Sequence, residues 1–129
     1  MSTVPHYVLQ GSFDVPPDQW AEAMSEIRDI LIETAQKRPM ITYSDLVSQV
    51  DAVSFNAYDQ RLFAILGQLS VAEHEAGRPL LSVLVVHKHG DMKPGEGFFE
   101  LAGALGRNTS DVLKAWISEV QKVYPHWNR

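Results

Sequence analysis

One short apolar run constrains the fold more than any other part of the sequence. Residues 80–86 read LLSVLVV, and aliphatic side chains stand at odd and even positions alike. A strand points successive side chains to opposite faces of its sheet, so a run that is apolar on both faces must be covered on both sides. The run therefore predicts a buried strand, and the rest of the chain must supply the elements that cover it.

Helices are predicted on the N-terminal side of this run. Apolar residues recur every three or four positions within residues 16–39, and prolines stand at both ends of that segment, which predicts one long amphipathic helix. A second apolar stripe over residues 57–77 predicts another, ended by a glycine. Between them, residues 40–43 favour a very short strand, and Thr42 or Ser44 favours the start of a brief helix.

Two more helices are predicted after the run. Phe98 to Leu105 has a helical pattern that stops at Gly106. Asn108 or Thr109 is the predicted cap of a final helix, which Pro125 is predicted to end. The residues expected on its inward face are Val112, Leu113, Trp116, Val120 and Val123.

These elements predict an α+β fold, a mostly helical winged-helix-like domain with a small β-sheet and a helical C-terminal extension. The 129 residues suffice for one domain that buries a core without disulfides or metal. Residues 1–15 are expected to form an N-terminal arm, residues 16–97 the winged-helix-like core, and residues 98–129 the C-terminal helices. The order helix, strand, helix, helix, strand, wing is typical of a winged helix-turn-helix domain.

Two segments carry a resemblance to known families. RPMITYSDLVSQV, residues 38–50, resembles the entry to the second helix of winged helix-turn-helix domains. Residues 38–86 are also similar to the DNA-binding core of alkyltransferase-like proteins. That family's Pro-Cys-His-Arg motif has no counterpart, because the chain lacks cysteine and VVHK stands in its place, so the resemblance does not imply alkyl transfer. AGRPLLSVLVVHK and PGEGFFELA are similar to uncharacterised bacterial proteins, which implies no mechanism.

Composition excludes several classes of function. The absence of cysteine removes disulfides, thiolate zinc sites and thiol nucleophiles. No apolar run approaches the roughly 20 residues that span a bilayer, and the N-terminus lacks the pattern of a secretory signal, so we expect a cytoplasmic protein without a membrane partner. Eleven basic and 16 acidic residues give a formal net charge of −5, which argues against indiscriminate nucleic-acid binding.

The first functional hypothesis is a nucleic-acid-associated or regulatory winged-helix protein. In that fold the helix that begins near Asn56 would be the recognition helix, with Asp59 and Ala64 also facing outward, and residues 87–93 would form a basic wing. Side chains of these types contact base edges and phosphates of double-stranded nucleic acid. The predicted contact residues are Asn56, Gln60, Arg61, His87, Lys88, His89 and Lys93. Asp59 opposes this hypothesis, because its charge would face phosphate.

The second hypothesis is a protein-interaction module that binds a protein partner or forms a homodimer. Winged helices without a basic recognition face serve such roles, by analogy of fold. Trp116, Tyr124 and Trp127 are the candidate anchors, since aromatic residues dominate interface energetics. Neither this hypothesis nor the first requires a cofactor.

The third hypothesis is a small hydrolase, dependent on a metal or on acid/base catalysis. Two imidazoles at positions 87 and 89 would point to the same side of a strand, and a third and a fourth ligand would complete a metal site. The candidate ligands are His74, His87, His89 and Asp91. A metal-free variant would use His74 with Glu75 near Lys88 and Ser82. Whether the histidines converge decides between a metal site and a solvated hairpin.

Overall fold

The structure, a computed structural model, describes residues 15–37, 40–56, 59–86 and 96–127. Residues 1–14 of the predicted arm at 1–15 lie outside the described residues, and so does the whole predicted basic wing at 87–93. The elements in chain order are α1 (Pro17–Lys37), β1 (Ile41–Thr42), α2 (Tyr43–Ser48), α3 (Gln60–Glu75), a 3-10 turn (Leu81–Leu84), β2 (Val85–Val86), α4 (Glu96–Ala104) and α5 (Val112–Trp127). The described part is mostly helical with a small two-stranded sheet and a C-terminal helix, which confirms the α+β class.

The apolar run at residues 80–86 is buried throughout, as predicted, but most of it is not a strand. Leu81–Leu84 form a 3-10 turn, and only Val85–Val86 pair with β1, in parallel, with Ile41 opposite Val85 and Thr42 opposite Val86. The turn packs against α1, α3 and α5. Because helices cover the run on several sides, its aliphatic side chains are buried without an extended sheet, and the predicted seven-residue strand is wrong.

Two hydrophobic clusters form the core. The first joins α1, α2 and α3 and includes Trp20, Ile27, Leu46, Leu62 and Ile65. The second lies under α4 and α5 and includes Leu80, Val83, Leu84, Phe98 and Val123. The buried run contributes to both clusters, so it is the centre of the domain.

The ends of the helices follow local chemistry. The Thr42 Oγ1 accepts from the Asp45 amide at 3.1 Å and caps α2, as predicted. The cap of α3 is Asp59, which accepts from the Arg61 amide at 3.0 Å, so the helix begins at residue 60. Gly77 follows α3 with φ of +76°, the left-handed conformation expected of a glycine at a helix end.

Helix α5 differs from its prediction at both ends and on its inward face. Asp111 caps it by accepting from the Lys114 amide at 3.2 Å, and the helix continues past Pro125 to Trp127. Val112 and Leu113 were expected inside but are 41% and 54% exposed. The buried residues of this helix are Ala115, Glu119 and Val123. In the described part of the chain, no helix is long and apolar enough to cross a membrane.

Candidate functional site

Two buried glutamates organise one side of the molecule. Glu73 in the last turn of α3 and Glu119 in the middle of α5 are each 1% exposed. A carboxylate withdrawn from water loses several kcal/mol of hydration unless cations and hydrogen bonds replace it. Each of these glutamates has two cationic partners, and those partners define the site.

Glu119 joins the buried run to the loop between α4 and α5. One carboxylate oxygen accepts from the Leu80 amide at 3.0 Å, and the other accepts from the Arg107 Nε at 2.9 Å. The Lys122 Nζ lies 3.5 Å from the second oxygen. The carboxylate therefore fixes the Arg107 guanidinium through its Nε, and the Nη1 and Nη2 groups do not bond to Glu119.

Glu73 makes an equivalent arrangement with two arginines. It accepts from the Arg28 Nε at 3.0 Å and from both the Nε and the Nη2 of Arg78. Hydrogen bonds to Glu73 and its negative charge raise the pKa of Arg78 further above its ordinary value. On its other side, the Arg28 guanidinium lies 5.5 Å from the centre of the Trp127 ring, a cation–π contact.

His74 connects with Arg107. The Arg107 Nη1 lies 2.5 Å from the His74 Nδ1. A guanidinium has only donors, so Nδ1 must accept and the ring proton sits on Nε2.

A basic cleft opens over these residues between the C-terminal end of α3, the α4–α5 loop and α5. Its cationic and imidazole side chains are His74, Arg78, Arg107, Lys114, Lys122 and His126. The cleft consists of two open depressions with shared lining residues, which we call the Arg78 lobe, of about 600 Å³, and the Lys114 lobe, of about 570 Å³. His74, Arg107 and Lys122 line both. None of the described residues that line the lobes is Asp or Glu.

This arrangement is suited to bind an anion. The Nε and Nη2 of Arg78 donate to Glu73, so its Nη1 is the group left for an anion. The Arg107 Nε donates to Glu119 and its Nη1 bonds His74 and the Leu105 carbonyl, so its Nη2 is the group left. Lysine adds a mobile point charge. The two buried carboxylates hold the arginines from behind, so the donors are oriented before a ligand arrives. Four of the chain's acidic residues, Asp18, Glu22, Asp29 and Glu33, are exposed on α1.

The predicted recognition surface at the start of α3 is arranged differently. Asn56 and Gln60 are exposed, but Ala64, predicted to face outward, is fully buried. The Arg61 guanidinium donates to both oxygens of Asp59, at 3.0 and 2.7 Å, and to the Ser54 carbonyl at 3.2 Å. The hydrogen bond from Arg61 lowers the pKa of Asp59 below its ordinary value. Arg61 thus stabilises the start of the helix rather than presenting an unengaged guanidinium.

The hydrolase candidates are only partly visible. His87, Lys88, His89, Asp91 and Lys93 lie outside the described residues, so their convergence with His74 stays untested. Within the ranges that the structure describes, no group of three or more potential ligands could hold a metal ion.

The acid/base set gains no support from Ser82. Its hydroxyl lies 2.6 Å from that of Ser70, and both residues are buried. Glu75, in contrast, is exposed at the end of α3. Ser82 is therefore a core hydroxyl satisfied by a neighbour, away from solvent.

The predicted aromatic anchors contribute to the fold. Trp116 and Tyr124 are half-buried against the second core cluster, and Trp116 donates to the Val83 carbonyl at 3.4 Å. Burial raises the pKa of Tyr124. Trp127 packs against both clusters. The large hydrophobic residues that are exposed in the described chain are Val112, Leu113 and Ile117. The interaction hypothesis therefore stays a prediction, and its aromatic anchors are partly occupied by packing.

Sequence reasoning missed Glu119, Glu73 and Arg107. A signal for the glutamates was present, because Glu119 stands four residues from both Ala115 and Val123 on the buried stripe of α5. Glu73 likewise follows Leu69 by four positions on α3. A carboxylate on an apolar stripe must find cationic partners, and that inference would have predicted a buried ion-pair network.

Comparison of the chain with protein-family models, curated proteins and solved structures finds no match. The resemblance to winged helix-turn-helix domains and to alkyltransferase-like proteins therefore remains a prediction. Function must be argued from the cleft itself.

Proposed function

We propose that the protein is a regulatory binding protein that recognises a phosphate-bearing ligand in the basic cleft. The observation that carries this proposal is the lining: four Lys or Arg side chains and two histidines, with no carboxylate among the described lining residues. Guanidinium and ammonium groups are the side chains that proteins most use to bind phosphate oxygens.

The pre-set orientation of the arginines supports the proposal. Arg107 is 19% exposed and Arg78 is 34% exposed, and a buried glutamate fixes the Nε of each. Immobilising a long side chain on binding costs about 0.5–1.5 kcal/mol. Because folding already immobilises these two side chains, binding loses less conformational entropy, and each contact with the ligand contributes more to the free energy of binding.

The phosphate has two possible sources, the backbone of a nucleic acid or a small phosphorylated molecule. The nucleic-acid hypothesis is therefore kept, but we place its main contact at the cleft. Four Lys or Arg side chains line the cleft, whereas Arg61 is the single cation among the predicted contact residues that the structure describes. A protein that neutralises backbone phosphates loses affinity steeply as salt rises.

The test is isothermal titration calorimetry with sodium phosphate, sodium pyrophosphate and a duplex oligonucleotide without terminal phosphates. The variant carries Lys114→Ala and Lys122→Ala, two exposed side chains whose removal leaves Arg78 and Arg107 in place. The matched control is Lys37→Ala, an exposed lysine on α1. A charge-assisted contact contributes about 1.5–3 kcal/mol, so the double variant should weaken the bound probe by about tenfold or more.

The results distinguish the two sources of phosphate. Duplex binding that falls steeply with salt and weakens in the double variant assigns the phosphate to nucleic acid, whereas binding of the inorganic probes alone assigns it to a small molecule. The proposal fails if no probe binds, or if Lys37→Ala weakens binding as much as the double variant does.

A further inference from the structure

The two lobes of the basic cleft hold different cations. Arg78 and His126 line only the Arg78 lobe, and Lys114 lines only the Lys114 lobe. Arg107 and Lys122 line both, together with His74. A ligand that engages every lining cation must therefore extend from one lobe into the other.

Some of the polar side chains that line the lobes have their acceptor atoms already occupied. The His74 Nδ1 accepts from Arg107, which leaves the Nε2–H as a donor. The Asn108 Oδ1 accepts from the Ser110 amide at 3.1 Å and from its hydroxyl at 2.8 Å, which leaves the amide nitrogen of Asn108 as a donor. A ligand with several acceptor oxygens would complement these donors.

The balance of charge indicates more than one negative charge on the ligand. Four Lys or Arg side chains line the cleft, and Arg28 shares Glu73 with Arg78 from behind. Five cations therefore stand against two buried glutamates, which leaves three positive charges unneutralised when the histidines are neutral. A monoanion would neutralise only part of this excess. A phosphate monoester carries about −1.5 to −2 at pH 7, and linked phosphates carry at least as much.

The lining of the lobes argues against a stacked base. Among the described lining residues there is no Phe, Tyr or Trp. The aromatic platforms on which proteins stack nucleobases are therefore missing from that lining.

We infer that the ligand contains at least two linked phosphate groups, one bound in the Arg78 lobe and the next in the Lys114 lobe, with Arg107 and Lys122 between them. This inference rests on the phosphate binding proposed above and narrows it to oligophosphates. The linked phosphates belong either to free inorganic pyrophosphate or to the diphosphate of a nucleotide, and recognition involves their oxygens alone.

Calorimetry at constant ionic strength tests the chain-length dependence. Orthophosphate, pyrophosphate, ADP and UDP are the probes, with Lys114→Ala as the variant and Lys37→Ala as the control. One added charge-assisted contact makes pyrophosphate bind about tenfold or more tightly than orthophosphate. Lys114→Ala should remove most of that difference and change the Kd of orthophosphate by less than about twofold.

The two nucleotides distinguish the sources. ADP and UDP bind with Kd values within about threefold of each other if only phosphate oxygens are recognised, and weaker binding than pyrophosphate would identify the free anion as the ligand. The inference is overturned if orthophosphate binds as tightly as pyrophosphate, or if Lys114→Ala weakens the binding of both equally. It is also overturned if none of these four probes binds while the duplex oligonucleotide of the previous experiment does. These three results leave the proposed phosphate binding intact, whereas failure of every probe, the duplex included, would refute both.

Discussion

Replacement of Glu119 by glutamine is the change that tests the architecture of the cleft most severely. The buried carboxylate accepts from the Leu80 amide at 3.0 Å and the Arg107 Nε at 2.9 Å, with the Lys122 Nζ at 3.5 Å. Glutamine keeps one acceptor oxygen, so its amide group must turn a donor towards Leu80 or Arg107. Loss of one partner of a buried ion pair costs about 3–5 kcal/mol. Lys122 is 56% exposed and regains hydration, so we expect a loss shifted below that range, to about 2–4 kcal/mol.

Urea denaturation followed by circular dichroism measures this loss, with thermal unfolding as a second readout. For a chain of this length, 1 kcal/mol corresponds to about 4 °C, so the Tm should fall by about 8–16 °C. The matched control is Glu33→Gln, whose partner Lys37 lies 3.6 Å away in an exposed i,i+4 pair, and it should cost less than about 0.5 kcal/mol. If Glu119→Gln lowers the free energy of unfolding no more than Glu33→Gln does, the Glu119 carboxylate does not hold Arg107 in place, and the inference that Arg107 is oriented before a ligand binds is wrong.

Three further predictions concern the surrounding fold. Asp59→Ala should destabilise by about 1–2 kcal/mol at pH 7. Arg61 lowers the pKa of Asp59 below 3.8, so the wild type should exceed the variant in free energy of unfolding by the full amount above pH 3.8. This difference should disappear as the pH falls through the lowered pKa. A difference in urea denaturation that persists in strong acid would contradict the prediction. Ser70→Ala or Ser82→Ala leaves the other buried hydroxyl unpaired and should lower the free energy of unfolding by about 1–3 kcal/mol. The double variant should lose less than the sum of the two single losses, and additive losses would argue against their hydrogen bond. Leu113→Gln should change the free energy of unfolding by less than about 0.5 kcal/mol, since the side chain is 54% exposed, and a larger loss would place Leu113 in the core.

Local chemistry made much of the fold predictable. Helical periodicity and prolines located α1, and a glycine with positive φ ended α3 where expected. Thr42 is one of the two residues predicted to cap α2, and it is the observed cap. These features depend on residues a few positions apart, so a single sequence contains them.

Features that depend on tertiary contacts were not predictable in the same way. The run at 80–86 has strand-like composition, but packing against three helices allows a 3-10 turn. On α5, both Val112 and Glu119 fit helical spacing, and only the packing of the helix decides which of them is buried. Apolar residues near a helix start are weak evidence of its inward face, because the stripe is defined by its whole length.

The cleft itself was not predicted, because its cations come from three separate elements. Arg78 follows α3, Arg107 lies before α5, and Lys122 is within α5. The histidine-rich stretch near residue 87 instead indicated a polar cluster whose residues are adjacent in sequence. The cationic groups that the structure brings together are distant in sequence and are joined through two buried carboxylates.

The most direct test of phosphate binding at the cleft is a pyrophosphate titration followed by ¹H–¹⁵N correlation NMR of the uniformly labelled protein. Binding in the cleft predicts saturable shifts of the amides of Arg78, Arg107 and Ser118, with the amides of Gln60 and Arg61 unchanged. Shifts confined to Gln60 and Arg61, or no saturable shifts, would contradict the assignment of phosphate binding to this cleft.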